Sequence, residues 1–296
     1  MHVLIVGAGI GGITLAALLE QARVPYVVLE RSPDVRPVGS AISIPPTVAP
    51  LFKQLGVYDE LLRHSQPLHT ATNHTFPPSK PRVDDLTFMK QRYNDTIHII
   101  TRQKLYNILL NLVPKDKIHF GKSVQTIQHK PEGVIVHTTT NESYYGDAVI
   151  GADGSFSTVR EIMYKELQAL GLLPKEDAAL PFVSGHCLVG VTSVLPKGAM
   201  VLPEDECRYE TLTCKSQPFM TGCLSQPDGS VAWYALQPAS SAKTREEMCL
   251  RNVEWGAETI GDMPDEIRSL PCPLGQTMGF LFDHTPKETM SKVLIE

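Results

Sequence analysis

Hydrophobic residues at the amino terminus form two short runs with a helical stretch between them. Residues 1–6 are mostly apolar and lead into Gly7-Ala8-Gly9-Ile10-Gly11-Gly12, and residues 13–19 are mostly apolar again. A second run, Tyr26 to Leu29, ends on Glu30. Short apolar runs bounded by turn residues are typical of buried parallel strands. The pattern predicts a strand, a glycine turn, a helix and a second strand that ends on an acid.

The middle of the chain continues to mix helical and strand spacing. Apolar residues three and four positions apart predict helices, and alternation predicts strands. The predicted elements are helical segment Pro46–Arg63 broken at Gly56, loops and short strands over 65–92, strand Thr96–Ile100, helix Arg102–Val113, and strands Lys117–Phe120, Val124–His129, Gly133–Thr139 and Tyr144–Ile150. The last strand leads into Gly151-Ala152-Asp153-Gly154, and Ser157 is placed to cap a following helix.

In the second half, strands follow strands. Helix Glu161–Leu170 and a polar linker, Leu172–Pro181, come first. The predicted strands are then His186–Val194, Cys207–Cys214, Met220–Ser225 and Val231–Leu236, followed by helix Lys243–Thr259 and a closing strand, Lys292–Ile295. Consecutive strands without intervening helices predict an antiparallel sheet.

These patterns together predict an α/β fold with two domains. A Rossmann-like nucleotide-binding domain would take residues 1–64, 101–182 and 276–296. A mostly antiparallel β-sheet domain, inserted into it, would take residues 65–100 and 183–275.

Each glycine of the first turn has its own physical reason. Gly7 permits the tight turn, Gly9 lets a diphosphate approach the backbone, and Gly12 lets the helix pack closely on the strand. Glu30 can accept a hydrogen bond from a ribose hydroxyl, and its charge disfavours the 2′-phosphate of NADP. The turn therefore predicts a site for FAD or NAD. Arg31 could attract a phosphate and is a further candidate contact.

Composition narrows the class of protein. The chain has 296 residues and a net charge of −5, and it contains no basic run, which argues against nucleic-acid binding. No apolar stretch is long enough to span a bilayer, and the amino-terminal run lacks the basic residues of a signal peptide. The six cysteines form no C-x-x-C pair, so we expect reduced thiols, no metal site and a cytoplasmic location.

Three stretches, taken together, resemble the class A flavoprotein monooxygenases of the para-hydroxybenzoate hydroxylase type. They are Gly7–Gly12 with Glu30; Thr101-Arg102-Gln103-Lys104-Leu105; and Gly151-Ala152-Asp153-Gly154 with Ser157, Val159 and Arg160. The likeness covers the whole chain in its order of elements. It is greatest to the fungal secondary-metabolism branch of the family.

The resemblance implies a role for each candidate residue. The two domains become an FAD-binding domain and a substrate-binding β domain. The implied contacts are Gly7, Gly9 and Gly12 at the FAD diphosphate, Glu30 at the adenosine ribose, Arg102 at the flavin side, the loop from Gly39 to Ser43 against the isoalloxazine, and Asp153 in a motif linked to both FAD and NADPH.

The implied reaction is a monooxygenation. NADPH or NADH would reduce FAD transiently, and O2 would supply the oxygen that hydroxylates or epoxidises a small organic substrate. Tyr209, Phe219, Trp233 and Tyr234 are candidates to line the pocket, although alternating strands favour core positions for them. No general base is identified, because His98, His186 and His284 are scattered and structural roles are favoured.

Other functions stay open at this point. The family carries a further Gly-Asp motif after a strand like Lys292–Ile295, whereas this sequence stops at Glu296, so we expect a truncated chain. An inactive FAD-binding fragment is therefore one alternative. An NAD-dependent dehydrogenase is another, although it leaves the motif around Asp153 unexplained.

Overall fold

The computed structural model of the chain describes residues 1–35, 39–177, 185–215, 219–238 and 263–295. These residues form two compact units. The first unit comprises Met1–Arg36 and Tyr106–Leu180, and the second comprises Pro37–Leu105 and Pro181–Glu296. Each unit is therefore assembled from two separate stretches of sequence.

The helices of the described residues are mostly short. They are α1 (Ile10–Gln21), α2 (Ala49–Gln54), α3 (Tyr58–Arg63), α4 (Phe88–Tyr93), α5 (Arg102–Leu110), α6 (Thr158–Ala169), α7 (Asp265–Arg268) and α8 (Met278–Asp283). Single 3₁₀ turns cover Lys115–Lys117 and Lys287–Thr289.

The strands belong to four sheets. They are β1 (Val3–Val6), β2 (Tyr26–Leu29), β3 (Ala41–Ile44), β4 (Gln66–Leu68), β5 (Thr70–Phe76), β6 (Arg82–Asp85), β7 (Ile97–Thr101), β8 (Ile118–His119), β9 (Val124–Lys130), β10 (Gly133–Thr138), β11 (Ser143–Gly146), β12 (Ala148–Gly151), β13 (Gly185–Val191), β14 (Tyr209–Cys214), β15 (Met220–Ser225), β16 (Val231–Pro238) and β17 (Ser291–Ile295).

The first unit contains a four-stranded parallel sheet in the order β12-β1-β2-β8. Val6, at the end of β1, lies opposite Gly151 of β12 and Leu29 of β2. The carboxyl ends of these strands thus meet at one edge, where nucleotides bind in folds of this kind. A separate antiparallel sheet, β11-β10-β9, completes the unit. Leu4, Val6, Leu29, Val124 and Val136 form a buried cluster in this unit.

The prediction of one strand over Tyr144–Ile150 is wrong, because the segment forms two strands. β11 pairs with β10, and β12 pairs with β1. Between them, the Asp147 N–H donates to the His2 carbonyl at 2.8 Å, and the Asp147 carboxylate accepts the His2 N–H. These bonds fix a change of direction that hydrophobic alternation alone does not reveal.

The second unit contains a seven-stranded sheet in the order β17-β13-β16-β15-β14-β5-β6. All of its neighbours are antiparallel except β14 and β5, which run parallel. A smaller antiparallel sheet, β3-β7-β4, belongs to the same unit. The predicted α/β class with a mostly antiparallel second sheet is confirmed.

Several elements differ from the predicted ones. Helix α4 lies within the stretch predicted as loops and short strands, and α7 and α8 were not predicted. The predicted helix Lys243–Thr259 falls outside the described residues. The closing strand exists as β17 and pairs with β13. The predicted bounds of the FAD-binding and substrate-binding domains stay a prediction.

Candidate functional site

The first glycine turn packs directly against the turn that follows β12. Gly7 has φ +104°, and a Cβ atom on it would lie 2.4 Å from the Ala152 carbonyl oxygen. A Cβ atom on Gly12 would lie 1.9 Å from the Gly7 carbonyl oxygen. Both distances are far inside van der Waals contact, so no side chain fits at either position. These two glycines hold β1, α1 and the second turn together.

Gly9 has different surroundings, because its Cα faces open space. It is the N-cap of α1, with φ −68°, and a Cβ atom on it would meet nothing within 4 Å. No side chain caps the helix at this end. The first N–H groups of an uncapped helix attract anions such as phosphate. The turn therefore offers a cradle of bare backbone that fits a diphosphate.

Glu30 follows β2 and folds its side chain back onto this turn. Its Oε2 accepts the Ala8 N–H at 2.7 Å, and its Oε1 accepts the Ser32 N–H at 2.8 Å. Each carboxylate oxygen has a further lone pair, so both can still accept a hydrogen bond from a ligand hydroxyl. Arg31, next in the chain, is exposed. Glu30 thus braces the glycine turn and lies beside the cradle.

Asp153 serves the start of helix α6. Its Oδ1 accepts the Ser157 hydroxyl at 2.6 Å, and its Oδ2 accepts the Val159 N–H at 3.2 Å. The Ser157 Oγ in turn accepts the Arg160 N–H at 2.9 Å, which confirms Ser157 as the predicted N-cap. Because the chain between Ala152 and Asp153 lies against Gly7, these bonds also fix the second turn beneath the first.

In the second unit, Arg102 lies against the Gly39 loop. The Arg102 N–H donates to the Ser40 carbonyl at 2.9 Å. Gly39 has φ +119°, and a Cβ atom on it would lie 2.9 Å from Arg102 Cδ. Ser43 lies on β3, opposite Ile99 of β7, and its side chain is exposed. The prediction of a loop from Gly39 to Ser43 is wrong for its second part, because Ala41–Ile44 pair with β7 as strand β3. Arg102 contacts the start of the segment, at Gly39 and Ser40.

A cavity of about 290 Å³ opens beside this loop, within the second unit. Gly39 and Ser40 line one part of it, and Thr101, Gln103 and Lys104, which flank Arg102, line another. The remaining lining residues come from the segments 191–194, 228–230 and 286–289. The lining mixes hydroxyl-bearing residues with apolar ones, and Lys104 and Asp228 contribute one charge of each sign, so the cavity offers both polar and apolar contacts to a small molecule.

A comparison with known families agrees with the glycine cradle. The sequence model of the FAD binding domain matches residues 1–210, which is more than two thirds of the chain. The chain belongs to the FAD binding domain family.

Relatives of this family member include fungal monooxygenases. The chain is 30% identical over 307 residues to the FAD-dependent monooxygenase paxM of Penicillium paxilli, with all of this chain and 60% of the relative covered. It is 29% identical over 304 residues to the FAD-dependent monooxygenase ptmM of Penicillium ochrochloron, with 68% of that relative covered. The chain thus spans about two thirds or less of the length of these two relatives.

Solved structures of FAD proteins share the fold. Klebsiella pneumoniae HpxO, crystallised with FAD and uric acid, superposes with a TM-score of 0.72 at 20% identity, covering all of this chain and 68% of that one. CtdE in complex with FAD gives a TM-score of 0.71 at 14% identity, covering all of this chain and 72% of that one. At such identities, the likeness concerns the fold alone.

The aromatic residues predicted near a pocket are mostly structural in this FAD binding domain protein. Trp233 is fully buried, and its Nε1–H donates to Thr285 Oγ1 at 2.8 Å. Phe219 packs against the hydrophobic cluster that contains Trp233. Tyr209 and Tyr234 join their hydroxyl groups at 3.0 Å.

The three histidines considered as general bases lie apart in the chain and make local contacts. His98 lies 3.4 Å from Asp95 Oδ1, and the ring of His284 contacts the Phe280 carbonyl at 2.9 Å. Burial lowers the pKa of His98 and of His186. No catalytic base is assigned.

Two contacts that support the glycine turn were not predicted from the sequence. Ala152 lies under Gly7, and Ala8 donates its N–H to Glu30. The first contact had a usable signal, since parallel strands that end in turns bring those turns together. Among the described residues, no cluster of three or more His, Cys, Asp or Glu could hold a metal ion, and no helix is long and apolar enough to cross a membrane.

Proposed function

We propose that this chain forms the FAD-binding part, together with a substrate-binding β-sheet, of a flavoprotein monooxygenase. The enzyme would use NADPH or NADH and O2 to hydroxylate or epoxidise a small organic molecule. The observation that carries the proposal is the open backbone cradle at Gly9, flanked by Gly7 and Gly12 positions that tolerate no side chain. Membership in the FAD binding domain family and similarity to FAD-dependent monooxygenases support it.

Residues of the first unit would hold the adenosine diphosphate part of FAD. The backbone at Gly9 and the uncapped start of α1 would bind the diphosphate. Glu30 would accept a hydrogen bond from the ribose while keeping its bond to Ala8. Asp153 would support the site indirectly, because the hydrogen bonds that it accepts from Ser157 and Val159 keep the second turn packed under Gly7.

Residues of the second unit are proposed for the reacting end of the cofactor and the substrate. Contact of Arg102 and Ser43 with the flavin stays a prediction from the family resemblance, and contact of Arg31 with FAD stays a prediction from the sequence. Bound FAD would supply the two-electron redox chemistry and the reaction with O2, which no side chain can supply. The cavity beside Gly39 and Lys104 is the candidate place for a small organic ligand.

Cofactor binding can be tested on the purified chain. We expect a yellow protein with flavin absorption, or a colourless one that regains it when FAD is added. Gly9→Val should abolish FAD binding, because its side chain would fill the space proposed for the diphosphate. Gly11→Ala is the matched control, since a Cβ atom on Gly11 also meets nothing and the fingerprint leaves this position variable.

Other outcomes would assign a different function. A chain that binds NAD in place of FAD would point to a dehydrogenase, and one that binds neither would be an inactive relative. Glu30→Ala should weaken FAD binding by about 1–3 kcal/mol, the range for a lost hydrogen bond to a charged group. An unchanged dissociation constant would show that Glu30 does not contact the ribose. Substrate-dependent NADPH oxidation then tests the monooxygenase step.

A further inference from the structure

Two buried cysteines of the second unit lie in direct contact. Cys223 is on β15, and Cys272 is in the short turn closed by the bridge between Pro271 and Thr277. Their Sγ atoms are 3.4 Å apart. Cys223 is 0% exposed and Cys272 is 4% exposed, and both belong to one hydrophobic cluster. The pair lies outside the glycine turns and the cavity described above.

The backbone on both sides fixes this arrangement. Cys223 sits in the middle of the sheet, opposite Glu210 of β14 and Trp233 of β16. The Cys272 N–H donates to the Gln276 carbonyl at 3.1 Å, and its carbonyl accepts the Gly275 N–H at 2.9 Å. A disulfide has an S–S distance of about 2.05 Å, so the two sulfur atoms need to approach by only roughly 1.4 Å.

We propose that Cys223 and Cys272 form a reversible disulfide when this protein meets hydrogen peroxide or a related hydroperoxide. Two other buried cysteines lack this arrangement. The Cys187 thiol donates to the Leu188 carbonyl at 3.6 Å. The Cys207 thiol interacts with Ser225, and burial raises the pKa of both Cys187 and Cys207 to about 12. These two cysteines serve as internal comparisons.

The two thiols have different roles in the reaction. The hydrogen bond between them raises the pKa of Cys223 and lowers that of Cys272, and Cys272 is the less buried of the two. The Cys272 thiolate therefore attacks a peroxide oxygen: the S–O bond forms, the O–O bond breaks, and hydroxide leaves as water after taking a proton.

The Cys223 sulfur completes the reaction by attacking the Cys272 sulfenic acid. The S–S bond forms, the S–O bond breaks, and a second water leaves with the Cys223 proton. The two thiols lose two electrons in total, and one peroxide is reduced to two waters. The new bond joins the middle of the seven-stranded sheet to the turn before α8, and closing a long loop should raise the melting temperature.

Peptide mapping of the intact chain tests the proposal. After treatment with hydrogen peroxide and alkylation of the remaining thiols, digestion without reductant should yield one peptide pair, joined through Cys223 and Cys272. Its mass should be lower than that of the two reduced peptides by two hydrogen atoms, and dithiothreitol should reverse it. The Cys272 thiol should disappear at least about tenfold faster than those of Cys187 and Cys207.

The same experiment on variants separates the pair from other thiols. Cys249 lies outside the described residues, so Cys249→Ser serves as the background in which the cross-link should persist. Cys223→Ala should abolish the cross-link, slow the loss of the Cys272 thiol and show no rise in melting temperature on oxidation. A cross-link to Cys249, equal loss of all thiols, or a Cys223–Cys272 pair that stays reduced while peroxide consumes other residues would overturn the proposal.

Discussion

The three glycines of the first turn differ in what surrounds each Cα atom. Positions 7 and 12 are closed by neighbouring backbone, whereas position 9 is open. Closed positions serve the packing of the fold, and an open one can serve a ligand. One short motif therefore combines structural and binding requirements, and single substitutions should separate them.

Gly12→Ala should lower the free energy of unfolding, because its Cβ atom would collide with the Gly7 carbonyl oxygen. Overpacking of this kind costs about 1–3 kcal/mol, and relief requires α1 to move off the strand. Gly9→Ala should cost less stability, since its backbone angles suit alanine and the space is empty, and only the poorer N-cap preference of alanine opposes it. It should nevertheless weaken FAD binding.

Urea unfolding and FAD titration of both variants check this separation. Gly11→Ala, which is also open, should change neither stability nor affinity strongly and serves as the control. Equal destabilisation by Gly9→Ala and Gly12→Ala would contradict the assignment of position 9 to a ligand.

The close packing at Gly7 and Gly12 was predicted from the sequence and is confirmed, whereas ligand contacts at Gly9, Glu30 and Asp153 stay predictions. The glycine reasons could be stated beforehand because glycine lacks a Cβ atom and its uses follow from that. The bonds of Glu30 to Ala8 and Ser32 could not, since they depend on the side-chain torsions of Glu30. The same holds for Asp153, whose two oxygens are engaged with α6.

Helix α6 begins after an N-cap residue, Ser157, which the sequence predicted. Ser157→Ala should remove the hydrogen bond to the Arg160 N–H and destabilise the protein by about 1 kcal/mol, as is usual for an N-cap serine. Ser155→Ala is the matched control, because Ser155 is exposed and contacts Arg160 only through its backbone carbonyl. Thermal or urea unfolding of the two variants measures the difference. Equal effects would show that α6 starts without this cap.

A partly buried polar cluster joins α3 to β7 and should respond to pH. Asp95 accepts the Tyr58 hydroxyl, and His98 lies between Asp95 and Ser65. Burial outweighs the attraction of Asp95 and lowers the pKa of His98, with His69 and Lys90 adding to the effect. Burial also acts to raise the pKa of Asp95, but hydrogen bonds from Tyr58, Thr96 and His98 lower it overall.

The sign of the pH effect follows from these directions. The folded protein binds the His98 proton less tightly than the unfolded chain, so stability falls as the pH drops below about 6.5, the ordinary pKa of histidine. Asp95 has little effect there, because its lowered pKa places its titration at more acidic values. His98→Gln should therefore lose less stability than the wild type between pH 7.5 and 5.5, measured by urea unfolding. Parallel curves would show that His98 does not titrate in this range.

At the scale of elements, prediction succeeded where local pattern decides. The bounds of strands β9, β10, β15 and β16 lie within two residues of the predicted ones. Helix α4 was missed because it has only six residues, and its side chains are not buried, so no apolar stripe marks it. Interactions distant in sequence, such as His2 with Asp147, divide a strand that looks continuous.

Across the whole chain, the hydrophobic pattern did not predict which strands pair when they are distant in sequence. β5 lies parallel to β14, and β17 lies beside β13, although neither pair is adjacent in sequence. Periodicity indicates which face of a strand is buried, but it carries no information about the neighbouring strand. Both units are also built from separate stretches of sequence, so contacts in space, and not the order along the chain, decide which residues belong to each unit.

Two consecutive hydrogen bonds through Thr285 link the seven-stranded sheet to helix α8. The buried indole N–H of Trp233, on β16, donates to Thr285 Oγ1, which donates in turn to the Leu281 carbonyl of α8. Thr285→Val keeps the volume but leaves a buried N–H without its acceptor, at a cost of about 1–3 kcal/mol.

The variant Thr285→Ser tests the contribution of the hydroxyl group separately from that of the methyl group. It keeps both hydrogen bonds and loses one buried methyl, at a cost of about 1 kcal/mol or less. Urea unfolding should therefore rank the wild type above the serine variant and the serine variant above the valine variant. With Trp255→Phe as the background, fluorescence reports Trp233 alone, and only the valine variant should alter its emission. A valine variant as stable as the wild type would mean that packing, and not this bond, holds α8 on the sheet.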